Sequence, residues 1–150
     1  MDMQSPKFKN SQQIPETYAC SGENINPPLI FNNVPKEAVS LVLIMDDPDA
    51  PKGLWVHWLL WNINPDTKII NENQTPNEAV SGITDFGQPG YGGPSPPSGI
   101  HRYFFKLYAL DTKLNLTEET DKTELEKAMQ GHIIDRAELI GLYSKNKNPT

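Results

Sequence analysis

The run Ile100–Leu110, I-H-R-Y-F-F-K-L-Y-A-L, fixes the class of fold open to this chain. Its residues alternate by side. His101, Tyr103, Phe105, Leu107 and Ala109 fall on one face of an extended backbone, with Arg102, Phe104, Lys106, Tyr108 and Leu110 on the other. A period of two with this many aromatics marks a strand, since a helix would scatter the rings around its circumference. Two earlier runs read the same way. Ser40–Met45 is continuously aliphatic, as in a strand buried on both faces, and Leu54–Ile63 follows it. Strict alternation along the second places Trp55, His57, Leu59 and Trp61 on one side, and Val56, Trp58, Leu60 and Asn62 on the other.

The rest of the chain connects these strands. Ile14-Pro15, Pro27-Pro28 and Val34-Pro35 break residues 1–40 into short extended pieces, because proline drives its predecessor toward β or polyproline geometry. Cys20-Ser21-Gly22 and Asn64-Pro65-Asp66 read as turns, and Thr67–Asn71 as a short strand. Residues 72–99 form a long loop stiffened by prolines at 89, 94, 96 and 97 and loosened by six glycines. A loop beyond about 15 residues in a compact domain usually carries function. One helix is expected from Asp121 to Gln130, with Asp121 and Glu124 as a capping box, Leu125, Ala128 and Met129 as its apolar stripe, and Gly131 ending it. Ala137–Tyr143 reads as a closing strand and Ser144–Thr150 as a polar tail. Strands spread along the chain with one late helix predict a single domain over 1–150, mainly β and antiparallel, without βαβ units.

Charge and cysteine usage narrow the function. A net charge of −6 with no basic block excludes nucleic acid as a main partner, so any anion must be held by local geometry. The single cysteine, Cys20, cannot close an internal disulfide. No apolar run approaches the ~18 residues of a transmembrane segment. The start, M-D-M-Q-S-P-K-F, lacks the apolar core of a signal peptide, and a cytoplasmic protein is expected.

Chemistry gathers in two places. Asp47-Pro48-Asp49-Ala50-Pro51 is a stiff acidic segment just ahead of the strand that carries His57. The strand from Ile100 brings His101 and Tyr103 to one face, about 7 Å apart. A carboxylate beside an imidazole favours the charged ring, which donates well to an anion, and Tyr103 adds a hydroxyl donor. Beside this stands the plainer reading of two core histidines satisfied by backbone and an Asp/Pro turn. Gly92–Gly99 can aim backbone N–H groups at an anion, or serve only as a rigid turn. His57, His101 and Asp47 also have the composition of a two-histidine, one-carboxylate metal site. Asp85-Phe86-Gly87 spells a kinase triplet but has no companion motif, and no Gly-x-Ser-x-Gly elbow surrounds Ser95 or Ser98.

Taken together, D-P-D-A-P at 47–51, H-W at 57–58 and G-P-S-P-P-S-G-I-H-R-Y at 93–103 resemble the phosphatidylethanolamine-binding protein family, in its prokaryotic Raf-kinase-inhibitor-like branch. C-S-G at 20–22, P-P-L at 27–29 and A-E-L-I-G-L-Y at 137–143 extend the resemblance over nearly the whole chain. It implies an antiparallel β-sandwich in Greek-key order, with one or two short peripheral helices and a small surface pocket for phosphate-like anions. Asp47, Asp49, His57, Gly93, Pro94, His101 and Tyr103 match the family's pocket and aspartate-motif positions. The resemblance also implies departures. Ser95 stands where many prokaryotic relatives have cysteine, Phe31 where tryptophan is common, and the polar tail replaces a helix that other branches set beside the pocket.

The expectation is therefore a non-enzymatic binding protein without cofactor. Its ligand would be a small anionic or phosphorylated group, including phospholipid head groups. Asp47 would orient an imidazole, His57 and His101 would donate to the anion, and Gly93 and Pro94 would form a wall. A kinase or serine protease is the partner class that the resemblance allows, and a homodimer is expected on base rate. A metal-dependent enzyme using His57, His101 and Asp47 is the third reading.

Overall fold

The computed structural model describes residues 1–145. Strands β1 (Asp2–Gln4), β2 (Gln12–Gln13), β3 (Leu29–Asn32), β4 (Ser40–Asp47), β5 (Trp55–Ile63), β6 (Ile69–Ile70), β7 (Val80–Ser81), β8 (Ile100–Leu110) and β9 (Ile133–Ser144) form two sheets, with one α-helix, α1 (Lys122–Met129), and a short 3₁₀ helix at Glu16–Tyr18. The larger sheet runs β2-β9-β8-β4-β5-β7 and the smaller β1-β3-β6. All pairings are antiparallel except β2 with β9. Within the larger sheet, β8-β4-β5-β7 is Greek-key order: three successive strands of the sheet lie side by side and the fourth returns beside the first.

Burial explains why β4 is central. All eight of its residues are buried, because it has a strand on each edge and a packed layer on each face. Leu41, Leu43 and Met45 face the small sheet and pack with Phe31, Trp58, Leu60, Phe105 and Leu107. Phe31, at the position where tryptophan was the alternative, is thus a core residue. Val42 and Ile44 face the other way and pack with Leu59, Trp61 and the helix residues Leu125 and Met129. Helix α1 starts at the expected capping box, with Glu124 N donating to Asp121 Oδ1 (2.9 Å) and Asp121 N to Glu124 Oε1 (3.1 Å).

Several elements differ from the sequence reading. The short strand expected over Thr67–Asn71 contracts to Ile69–Ile70, and the loop 72–99 contains β7. The closing strand is longer than Ala137–Tyr143, because Ile133, Asp135 and Arg136 also pair with β8. Ser144 closes that strand, and 146–150 of the expected tail lie outside the described residues. Strict alternation fails in β5. The register passes from Met45↔Trp58 to Asp46↔Val56, leaving His57 as an extra residue in a bulge. A second bulge lies between Leu60 and Ile63, where Asn62 takes φ +56°. Leu59 and Trp61 therefore pack with the helix, while His57 and Trp58 both turn toward the layer that holds Tyr103.

Candidate functional site

The bulge is what brings the two histidines together. β4 and β8 are paired up to Asp46↔Phe104, so the next residues of each strand, Asp47 and Tyr103, with His101 beyond, end at the same corner of the sheet. His57 enters from β5 on the other side of β4. Its ring lies edge-on to Tyr103 at 5.2 Å, and the His101 ring stacks on Tyr103 at 6.4 Å. Asp47, His57, His101 and Tyr103 form the polar floor of a cavity of about 190 Å³. Its walls are apolar: Trp55, Ala50 and Pro51 on one side, Pro96 and Pro97 on the other, with Ser95 between.

Each polar group is held by a specific partner. His101 Nδ1 donates to Asp47 Oδ2 at 2.7 Å, and the other Asp47 oxygen accepts from Asp49 N at 2.7 Å. His57 Nδ1 donates to Gly92 O at 2.7 Å, and Gly92 N returns a bond to His57 O at 2.9 Å. Neither Nε2 makes a hydrogen bond of ordinary geometry among the described residues, and the Gly93 backbone is a second polar neighbour of the His57 ring. Burial holds the His57 ring below the usual imidazole pKa, against the opposing pull of Gly92 O and of the Asp47 and Asp85 carboxylates. Tyr103 is fully buried, and its hydroxyl makes no hydrogen bond of ordinary geometry among the described residues, its polar neighbours being the Ser95 backbone and the Asp47 carboxylate. Burial first, and Asp47 second, push its pKa well above the ordinary phenol value.

The expected site residues thus divide. Asp47, His57, His101 and Tyr103 meet at the cavity. Asp49 does not line it. Its carboxylate accepts three bonds from Arg102 (backbone N, Nε and Nη2, each 2.9 Å) and ties the acidic loop to β8. That pairing is why its pKa falls to about 2. Gly93 and Pro94 also stand outside the lining. Gly93 N donates to Asn24 Oδ1 (2.8 Å), Pro94 O accepts from Cys20 N (2.9 Å), and both brace the segment behind His57. The wall that they were expected to supply comes from Ser95, Pro96 and Pro97. Among the described residues no group of His, Cys, Asp and Glu side chains is placed to hold a metal ion, so the two-histidine, one-carboxylate set is not assembled.

Sequence reasoning missed Trp55, Phe86 and Arg102, and it read Gly92 as a source of backbone N–H groups for an anion, whereas the Gly92 carbonyl holds His57. The kinase-like triplet has a structural use here. Asp85 Oδ2 accepts from Val56 N at 2.6 Å, and the Phe86 ring sits edge-on to both Trp55 (5.6 Å) and His57 (5.4 Å). Nothing in the local pattern signals these contacts.

Comparison with known proteins agrees with this architecture. The family model for phosphatidylethanolamine-binding protein matches residues 4–144. A UPF0098 protein of Methanothermobacter thermautotrophicus is 49% identical over 150 residues, covering 97% of this chain and 99% of that protein. The crystal structure of a putative phosphatidylethanolamine-binding protein homologue from Chlamydia trachomatis superimposes with a TM-score of 0.93 at 44% identity, covering 96% and 97% of the two chains. Escherichia coli YbcL, a member of the same family, gives 0.89 at 29% identity over 95% and 97%. Among the described residues no helix is long and apolar enough to cross a membrane.

Proposed function

Since this chain belongs to the phosphatidylethanolamine-binding protein family, we propose that it is a non-enzymatic binding protein whose cavity takes a small phosphate-like anion. The observation that carries the reading is the pair of imidazoles. Gly92 O and Asp47 Oδ2 fix each ring through Nδ1 and leave Nε2 uncommitted beside a buried Tyr103 hydroxyl that makes no hydrogen bond of ordinary geometry. A buried polar group without a partner costs free energy, so a ligand that supplies the missing bonds recovers it. The cavity, at about 190 Å³, has room for a tetrahedral anion together with several waters, at about 30 Å³ of liquid volume per water. Charge-assisted bonds contribute roughly 1.5–3 kcal/mol each, which after the cost of association leaves weak to moderate affinity.

Titration of inorganic phosphate, followed by NMR at the His57 and His101 side chains, tests this. Asp47→Ala and His57→Ala should each abolish the shift changes. Unaltered titrations in both variants defeat the reading.

A second reading, modulation of a partner kinase or serine protease through the cavity loops, draws on the rim. Leu54, Trp55, Phe86 and Ile100 are large, apolar and exposed beside the mouth. Binding of a purified partner enzyme should then weaken in Ile100→Asp, and indifference to that change removes the rim from the interface.

A further inference from the structure

We propose that the cavity selects an oxyanion that arrives carrying one proton, because His57 meets it as a hydrogen-bond acceptor while His101 and Tyr103 meet it as donors. This rests on the anion-site reading and narrows it to a ligand class. Hydrogen phosphate and singly protonated phosphomonoesters fit; sulfate and fully ionised phosphomonoesters do not.

The assignment follows from what holds His57. A carbonyl oxygen only accepts, so the 2.7 Å contact with Gly92 O places the ring proton on Nδ1. A neutral ring with that tautomer has only a lone pair at Nε2. The Gly92 backbone cannot drift away. Gly92 N is bonded back to His57 O, and the Phe86 ring fills the space where a Gly92 Cβ would stand, with Cε2 2.2 Å from that point. The ring cannot cheaply take a second proton either. It is 3% exposed, with the Phe86 ring against it. The charged and titratable groups that face it are Asp47 from β4, His101 and Tyr103 from β8, and Asp85 from the following loop. Asp47 is already shared between His101 and Asp49 N, and Asp85 accepts from Val56 N. Burial outweighs their remaining pull.

His101 differs in kind. Its Nδ1 partner is the Asp47 carboxylate, so a ring that takes its second proton as the anion arrives becomes one half of an ion pair, and its Nε2–H then donates. The cavity therefore presents donors on the β8 side and an acceptor on the β5 side. An anion with one O–H satisfies all of them. An anion with none turns an oxygen lone pair toward the His57 lone pair and forfeits that bond.

The test compares three probes on the intact chain: inorganic phosphate, sulfate and phenyl phosphate. Inorganic phosphate keeps an O–H across neutral pH and sulfate has none, whereas the monoester loses its proton above a pKa of about 6. Phosphate should bind at least about tenfold more tightly than sulfate, the factor expected for one bond to a charged group. Relative to inorganic phosphate, phenyl phosphate should lose at least about tenfold between pH values roughly one unit below and two units above that pKa. Any change in the rest of the pocket acts on both ligands and cancels in the ratio. The ¹⁵N shifts of His57 should report the neutral Nδ1–H tautomer, and His57→Gln, which can turn an N–H into the cavity, should bring the phosphate-to-sulfate ratio toward one. Equal binding of phosphate and sulfate overturns the selection and leaves the anion site standing. An unchanged ratio in His57→Gln overturns the role of His57. Failure of all three probes to bind removes the anion site and this inference with it.

Discussion

Replacing Gly93 with alanine separates a ligand contact from a packing constraint. A Cβ built there lies 2.2 Å from Tyr18 O, and 2.9 Å from both Ala19 C and Asn24 Oδ1, where ordinary contact begins at 3.4 Å. The obstacle is mostly backbone and is itself fixed. Tyr18 O accepts from Tyr91 Oη at 2.8 Å, Cys20 N is bonded to Pro94 O, and Gly93 N is bonded to Asn24 Oδ1. Relief requires a shift of about 1 Å, which strains a packed segment by roughly 1–3 kcal/mol and disturbs two or three bonds at about 0.5–1.5 kcal/mol each. A loss of about 3–5 kcal/mol is expected, or roughly 6–20 °C in Tm for a chain of this size. Gly99→Ala is the control. Nothing lies within 4 Å of its Cβ position, and only its φ of +71° resists, at about 1–2 kcal/mol. Urea denaturation and calorimetry measure both. A Gly93→Ala protein with wild-type stability but no phosphate binding would refute the packing argument and return Gly93 to the ligand.

Two further predictions concern acids of the same loop and strand. Asp49 has a depressed pKa of about 2 against 3.8 for the free side chain, so its stabilising contribution is complete above 3.8 and disappears as the pH falls through about 2. Urea midpoints of wild type and Asp49→Asn should therefore differ at neutral pH and converge in acid; parallel curves would refute the Arg102 clamp. Asp46 behaves in the opposite sense. It is fully buried with one oxygen unpartnered, and burial raises its pKa despite Lys106 Nζ at 3.1 Å. Asp46→Asn should stabilise the protein at neutral pH, with the gain fading as the pH falls through the raised pKa of the buried carboxyl and gone once the pH is below the unfolded value of 3.8. Lys106→Met should cost about 1–3 kcal/mol, because it leaves the buried carboxylate without its partner. Equal effects of the two substitutions would overturn this assignment.

The strands were readable because their burial is one-sided or complete, and either pattern survives in the local sequence. β8 alternates along its whole length, and β4 is apolar until its acids begin. What was not readable depends on partners far along the chain. The β5 bulge is invisible locally, since W-V-H-W-L-L-W fits unbroken alternation as well as an interrupted one. The roles of Asp47 and Asp49 also depend on β8. Both sit in one stiff segment, yet one meets His101 inside the cavity and the other meets Arg102 outside it. Gly93 and Pro94 belong to a motif that reads as a ligand wall, but the chain turns so that only Ser95 to Pro97 reach the cavity.

That division of the acids bears on how an acidic protein holds an anion at all. With a net charge of −6, the long-range field repels the ligand, and screening over about 10 Å leaves the local charges to decide. Arg102 cancels Asp49 just outside the mouth, and it does so bidentately, so the carboxylate has no oxygen free to turn inward. Asp47 is masked differently: both of its oxygens are occupied, one by a backbone N–H and one by His101. The cavity therefore shows the ligand ring nitrogens and a hydroxyl, not bare carboxylates. On this reasoning, Arg102→Met should weaken phosphate binding without Arg102 touching the ligand, because it releases the Asp49 charge at the mouth. The effect should shrink as salt is raised, since the exposed charge is screened while the buried bonds are not. Phosphate affinities measured at low and high ionic strength check this, and a salt-independent loss would show instead that Arg102 acts by shaping the loop.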